Sequence, residues 1–284
     1  AATVSNGGGQ FNGAINVGVD GTGYDVKFFG DTASAYMLWD QSTDDLILGG
    51  VATMGIGTAS PSSYNNFANN LVVYEAGHSG ITIATNGDNH GSIYFADGTT
   101  SNEQYRGQID YNHNGDSLTF KVAGDVSAIS IASTGSVNMP LQPAFLVEPA
   151  SNQENIANDN SVVTVVFGNE VFDVGANFSK SGGLANAFTA PVTGKYQLQV
   201  LLRLEDVDTA VTYYTIGIRT SNRVNNFIFD PDFADSNIPF YSVTFPCLMD
   251  MDEGDTAFIS IQQNGGTAQT DISTASYFSG FLAC

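Results

Sequence analysis

Tyr196, Leu198, Val200 and Leu202 alternate with Gln197, Gln199 and Leu201. A period of two sends successive side chains to opposite faces, so this run reads as a strand with one buried face and not as a helical stripe. Phe188, Ala190 and Val192 alternate in the same way with Thr189 and Pro191, and Pro191 and Gly194 bracket a tight turn between the two runs. Glu253-Gly254-Asp255 supplies a further turn directly before Phe258-Ile259-Ser260-Ile261, and Phe278, Phe281 and Leu282 follow near the end of the sequence. Short strands punctuated at regular intervals predict a sandwich or jelly roll.

Composition supports an all-β chain. Gly accounts for 31 of the 284 residues and Lys plus Arg for only 8, so the long straight-chain residues that favour helices are scarce. No window sustains apolar residues at helical spacing with caps at both ends, and helix is expected for under about one-tenth of the chain.

The acidic excess is even along the sequence. Residues 1–140 carry 13 acidic against 3 basic side chains and residues 141–284 carry 16 against 5, giving net charges of −10 and −11. Such a chain repels phosphate backbones, so nucleic acid is not an expected partner. No run of about 18 apolar residues is present, so no membrane insertion is expected. The sequence opens on Ala1 without a basic-start signal peptide, which reads as a processed chain, an excised piece or the ordered part of a longer one. Two domains are expected, residues 1–139 and 143–284, with the boundary at Met139-Pro140-Leu141-Gln142-Pro143.

The second half carries a resemblance. Its residues run from Pro143-Ala144-Phe145 through Asn169-Glu170-Val171-Phe172-Asp173-Val174-Gly175-Ala176-Asn177-Phe178 and Ala187-Phe188-Thr189-Ala190-Pro191-Val192-Thr193-Gly194-Lys195-Tyr196. They end with Glu253-Gly254-Asp255-Thr256-Ala257-Phe258 and Ser276-Tyr277-Phe278-Ser279-Gly280-Phe281-Leu282. This order and spacing resembles the jelly-roll head of tumour necrosis factor and the complement globular-head domains. The resemblance implies a binding module that assembles as a homotrimer.

The first half reads as short strands joined by turns: an alternation around a Gly-rich turn from Ile15 to Gly30, then Ala35 to Asp40, Asp44 to Leu48, Ile81 to Ala84, Ser92 to Ala96, Gly107 to Tyr111, Ser117 to Val122 and Ser127 to Ile131. Strands this short offer one chain too little apolar face for a thick core, so a core shared between chains is expected. The stretch from Gly18-Val19-Asp20 to Leu46-Ile47-Leu48 resembles a module of bacteriophage tail-fibre and virion-fibre proteins. Met54-Gly55-Ile56-Gly57-Thr58-Ala59-Ser60-Pro61, with Leu71-Val72-Val73 after it, is similar to a segment common in such fibres. This resemblance implies an elongated trimeric β-prism or β-helical shaft followed by the jelly-roll head.

Catalytic signatures are few. There is no nucleophile elbow, no phosphate-binding Gly-rich loop with Lys and no Cys–His set, and no carboxylate pair stands out for glycoside hydrolysis, so no enzyme activity is expected. His78, His90 and His113 lie in Gly- and Asn-rich stretches and read as surface turn residues. Cys247 and Cys284 are too few for a disulfide scaffold and read as buried free thiols. The acidic clusters Glu205-Asp206-Val207-Asp208, Asp250-Met251-Asp252-Glu253-Gly254-Asp255 and Asp230-Pro231-Asp232-Phe233-Ala234-Asp235 lack the terminal Glu of a calcium loop and read as solvated turns. Resemblance to heads that bind calcium through loop carboxylates makes Asp230, Asp232 and Asp235 the candidate calcium ligands.

Tyr213, Tyr214, Arg223, Phe227, Phe229, Phe233 and Tyr241 gather in the most loop-like part of the head and are the candidate receptor-binding residues. Exposed rings beside Asn, Asp and Arg suit recognition of a glycan or protein on a host surface; as a structural alternative, the same rings fill the core or a trimer axis. The expectation is a bacteriophage fibre or spike on the virion, attached to other virion proteins at its amino-terminal end and adhering to a host through the head. The alternative is a capsid head fibre or decoration protein with a mainly structural role.

Overall fold

The computed structural model describes residues 12–284; the first 11 residues of the expected shaft lie outside it. Its contacts divide the chain into two compact units, Ala1–Ala84 and Thr85–Cys284. The described residues contain strands and two short 3-10 turns, Pro61–Ser63 and Ser101–Tyr105, with no α-helix. Among them no helix is long and apolar enough to cross a membrane.

In the first unit β1 (Val26–Phe29), β2 (Tyr36–Asp40) and β3 (Asp45–Gly49) form an antiparallel meander, and β4 (Met54–Ile56) pairs in parallel with β5 (Leu71–Val73). The register sets Val26 and Leu46 beside Trp39, and Phe28 and Leu48 beside Met37. Because directly opposed residues share a face, one side of the meander is wholly apolar. That side is uncovered: Trp39 is 42% exposed, and Phe28, Met37, Leu46 and Leu48 are exposed as well. Residues 15–19 and 81–84, expected as strands, are not strands. A strand is defined by its ladder, and apart from an isolated Val19–Thr22 bridge these runs have no neighbouring strand among the described residues.

The second unit opens with a five-stranded antiparallel sheet in the order β10 (Val137–Asn138), β9 (Val126–Ile131), β8 (Ser117–Val122), β7 (Gly107–Asn112), β6 (His90–Phe95). One row across it reads Ile93, Ile109, Phe120, Ile129, and the next reads Tyr111, Leu118, Ile131, Val137. The opposite face carries Ser92 beside Asp110 and Gln108 beside Lys121. This sheet is amphipathic, and its apolar face too is largely open.

From Ala144 on, two sheets pack as a jelly roll. One runs β13 (Asn169–Val174), β11 (Ala144–Glu148), β22 (Tyr277–Leu282), β16 (Gly194–Val207), β19 (Ile238–Met251), with β21 (Asp271–Ile272) also on β16. The other runs β14 (Phe178–Ser179), β15 (Ala187–Thr189), β20 (Thr256–Gly265), β17 (Val211–Thr220), β18 (Val224–Phe229), with β12 (Val163–Thr164) on β20. Tyr196, Leu198, Val200, Leu202 and Leu204 are all buried, as the alternation of β16 predicts. Phe145 stacks on Phe188 at 4.6 Å and meets Phe278 edge-on at 4.9 Å. A Cβ on Gly280 would lie 2.5 Å from Leu198 Cδ2 and 2.9 Å from Phe145 Cε1, so the terminal strand needs glycine there to approach this ring cluster.

The turns at residues 191–193 and 252–255 do not close hairpins as adjacent runs would. Each carries the chain from one sheet to the other: β15 and β16 lie in different sheets, and so do β19 and β20. Val192, expected on the buried face, is consequently exposed, and its carbonyl accepts a 2.8 Å hydrogen bond from the Tyr196 hydroxyl. Both cysteines are free; Cys247 is buried as expected, whereas Cys284 is exposed.

Candidate functional site

The candidate residues of the head lie along the edge where β18 and β19 border the opening between the two sheets. β17 sets Tyr214 directly opposite Phe229, and the two rings stack at 5.0 Å with only 12° between their planes. Phe229 meets Tyr241 at 5.0 Å and Tyr241 meets Phe233 at 5.7 Å, so a ladder of rings runs from the core to the surface. Phe227 stacks on Phe245 at 5.8 Å and lies 6.3 Å from Phe229, which ties this pair to the ladder.

The ladder's inner end differs from the sequence expectation. Tyr214 is fully buried and Phe229 nearly so, which corrects their reading as exposed receptor contacts. The Tyr214 hydroxyl lies 2.5 Å from Thr270 Oγ1 and accepts the Asp208 backbone N–H, so it is satisfied inside the fold. Tyr213, the preceding residue, is half-buried where the β17 register shifts. Phe233, by contrast, is 65% exposed in the loop of residues 230–237. That loop is held by Ala234 N–H on the Pro231 carbonyl and by Thr209 N–H on Asn237 Oδ1.

Arg223 does not join the rings. It sits in the turn before β18, at the far end from Phe229, roughly 20 Å away along the strand, and its guanidinium pairs with Asp250. Asp230, Asp232 and Asp235 do not converge either. Asp230 Oδ1 accepts the Asp232 N–H at 3.1 Å, and among the described residues no three His, Cys, Asp or Glu side chains group as metal ligands. The calcium expectation is corrected accordingly: the carboxylates are spread along an exposed turn.

One residue of the supposedly solvated acidic clusters is structural. Asp208 is fully buried, and its carboxylate accepts N–H bonds from Ala210 at 2.9 Å, from Ala268 at 2.7 Å and from Thr267. Burial pushes its carboxyl upward, but the donors from Ala268, Ala210 and Thr267 outweigh that, leaving it below the ordinary aspartate value. Gly266, at φ +103°, completes the clasp, since a Cβ there would meet Asp208 Oδ2 at 2.5 Å.

A second polar site lies on the five-stranded sheet, and sequence reasoning missed it. Asp110, a mid-strand residue of β7, is buried; its carboxylate accepts Ser92 Oγ at 2.5 Å and contacts His90 Nδ1 at 3.0 Å and Lys121 Nζ at 3.7 Å. Lys121 also bonds Asp125 at 2.8 Å. Burial raises the Asp110 carboxyl, and Ser92, His90 and Lys121 bring it to a net lowering. His90 is thus a strand residue beside a buried acid and not a turn histidine; His78 is exposed outside any strand, and His113 packs edge-on against Tyr111 at 4.9 Å. The only available signal was the alternation His90, Ser92, Tyr94 against Gln108, Asp110, which places all five on one face.

Comparison with known proteins adds to this geometry. Residues 144–283 match the family model described as the C1q domain. Among solved structures, the globular domain of zebrafish complement 1qA is similar at 16% identity, with a TM-score of 0.37, over 50% of this chain and 98% of that one. Murine APRIL at pH 8.5 is similar at 14% identity, with a TM-score of 0.35, over the same shares. No curated relative matches the chain. On the family match alone, residues 144–283 form a C1q-like jelly-roll domain.

Proposed function

We propose that the protein is a homotrimeric fibre of a bacteriophage virion that attaches the particle to its host through the C1q-like head, by noncovalent contact and without catalysis. The observation that carries this reading is the pair of uncovered apolar sheet faces in residues 26–138. An amphipathic sheet needs something against its apolar side, and in a fibre two further copies of the same sheet supply it. The fibre-like segments around residues 18–48 and 54–61 support the same assembly and supply the viral setting.

The head carries two further apolar patches. One is the ring edge with Phe227 and Phe245; the other is the outer side of the β22 sheet, where Phe172, Leu146, Phe281 and Leu248 face away from the core. Closure about a three-fold axis joins two different patches at every contact, and this head offers two. Phe233 and its acidic loop remain for the host surface, glycan or protein, with Tyr214 and Phe229 acting as the rigid backing of the exposed ring. Three tips on one stalk convert weak single contacts into useful attachment.

The test is light scattering on the full chain followed by binding to candidate host bacteria. A trimer that binds saturably and competes with infection is the expected result. A monomeric chain overturns the assembly, and a trimer that binds no host overturns the attachment role and leaves a structural part on the capsid.

A further inference from the structure

Above Asp110 the five-stranded sheet holds a hollow of about 330 Å³ lined by His90, Tyr94, Tyr105, Gln108, Lys121 and Asp125. Its floor is fixed. Asp110 is clamped by three partners, and the equally buried Gln108 donates its Nε2 to the Gly124 carbonyl at 2.6 Å. Its wall is aromatic, with the Tyr94 and Tyr105 rings 6.3 Å apart and tilted by 54°. Ser92 Oγ is bonded to the carboxylate and not to the imidazole, so this trio does not set up a serine nucleophile.

The lining keeps a mixed set of groups without a partner inside the protein: the second ring nitrogen of His90, the Lys121 protons not given to Asp110 or Asp125, the second oxygen of Asp125 and the Tyr94 and Tyr105 hydroxyls. A site that offers donors and acceptors together, with one cation set between two carboxylates, matches hydroxyl groups better than a phosphate or an amine, since each hydroxyl both donates and accepts. Ring faces beside such groups suit the C–H side of a sugar. We propose that this hollow is a saccharide-binding site, separate from the head, that takes one neutral sugar unit. Its side chains lie on the polar face of the sheet. If the apolar face packs between copies, as the fibre reading requires, the hollow therefore remains on the outside.

The experiment is saturation-transfer NMR on the full chain with D-glucose, D-galactose, N-acetyl-D-glucosamine and L-rhamnose as separate probes. At least one sugar should show transfer with millimolar affinity. Tyr94→Ser, which alters an exposed wall residue, and Asp110→Asn, which removes the charged floor, should each weaken it about tenfold or more. Leu184→Ser, at an exposed head residue outside both proposed binding surfaces, should leave it unchanged. Absence of transfer from all four sugars, or transfer that survives Tyr94→Ser, overturns the proposal. Either failure is distinguishable from failure of the head reading, because host binding in the same preparation is scored through Phe233→Ser.

Discussion

Phe145 and Trp39 are both large aromatic residues on the apolar side of an antiparallel strand, yet Phe145 is 1% exposed and Trp39 is 42% exposed. The difference lies in what stands opposite. Phe145 looks across to a second sheet of the same chain, whereas the meander of β1 to β3 is a single layer. In the head nearly every inward residue from both sheets meets another, and the core holds Tyr196, Tyr214, Phe145, Phe167, Phe188 and Phe278 fully covered. Between residues 12 and 138 only Ala35 and Val72 are buried apolar residues. Burial of one large apolar side chain contributes about 1.5–3 kcal/mol, so the apolar face of the meander withholds on the order of 10 kcal/mol until something covers it. The head covers its own apolar faces, whereas the preceding sheets leave theirs open.

This contrast can be broken most directly at its two reference residues. Phe145→Ala should destabilise the head by about 3–5 kcal/mol by opening a cavity among stacked rings, seen as a lower midpoint in urea. Trp39→Ala should leave that transition in place and weaken chain association, read by sedimentation at decreasing concentrations. A head transition that shifts equally in both variants would erase the distinction.

Phe281→Asp tests the outer side of the terminal strand. Phe281 is 50% exposed, so the fold should tolerate the change within about 1 kcal/mol, while a trimer that buries this ring should dissociate because it would enclose an unpaired charge. A variant that remains trimeric with unchanged stability would move the interface elsewhere.

Asp208→Asn should cost about 1–3 kcal/mol, since the buried carboxylate serves three backbone N–H groups. The pH dependence follows from the lowered carboxyl. With its folded pKa below the unfolded value near 3.8, Asp208 contributes stability that is complete above that value and lost as pH falls through the lower folded one. Urea midpoints between pH 5 and pH 2 should therefore fall more steeply in the parent than in Asp208→Asn. The smallest effect on stability belongs to Phe233→Ser, within about 0.5 kcal/mol, although host adhesion should drop sharply. Unchanged adhesion would take Phe233 out of the contact surface.

Much of the head was legible in the sequence because strand alternation reports a buried face directly. Tyr196 to Leu204 sits inward as its period requires, and the Gly254 turn falls where the strands change. What the pattern could not report was which sheet a strand joins, because a sheet-crossing turn and a hairpin use the same Pro and Gly residues. Tyr213 and Tyr214 show a second blind spot: of two adjacent tyrosines only one points inward, and the register shift after Val211 decides which. Asp208 and His90 show a third. Their residue types are ordinary at a surface, and only pairing with residues 59 and 20 positions away makes one a backbone clasp and the other the rim of a polar hollow. The resemblance to complement heads was supported by the family match, whereas the calcium ligands it suggested are not gathered by the loop that carries them.

The placement of β22 has a consequence for how the molecule is made. Tyr277–Leu282 is the last strand in chain order, yet it lies between β11 and β16 in the middle of its sheet. On the ribosome, every other strand of the sandwich has been synthesised before the one that unites them appears, so the domain closes as a single late event. The amphipathic sheets upstream emerge long before that moment. If those apolar faces pair between copies as proposed, they wait uncovered through the synthesis of the whole head, and polysome spacing and chaperone cover then decide whether nascent chains meet in register or tangle.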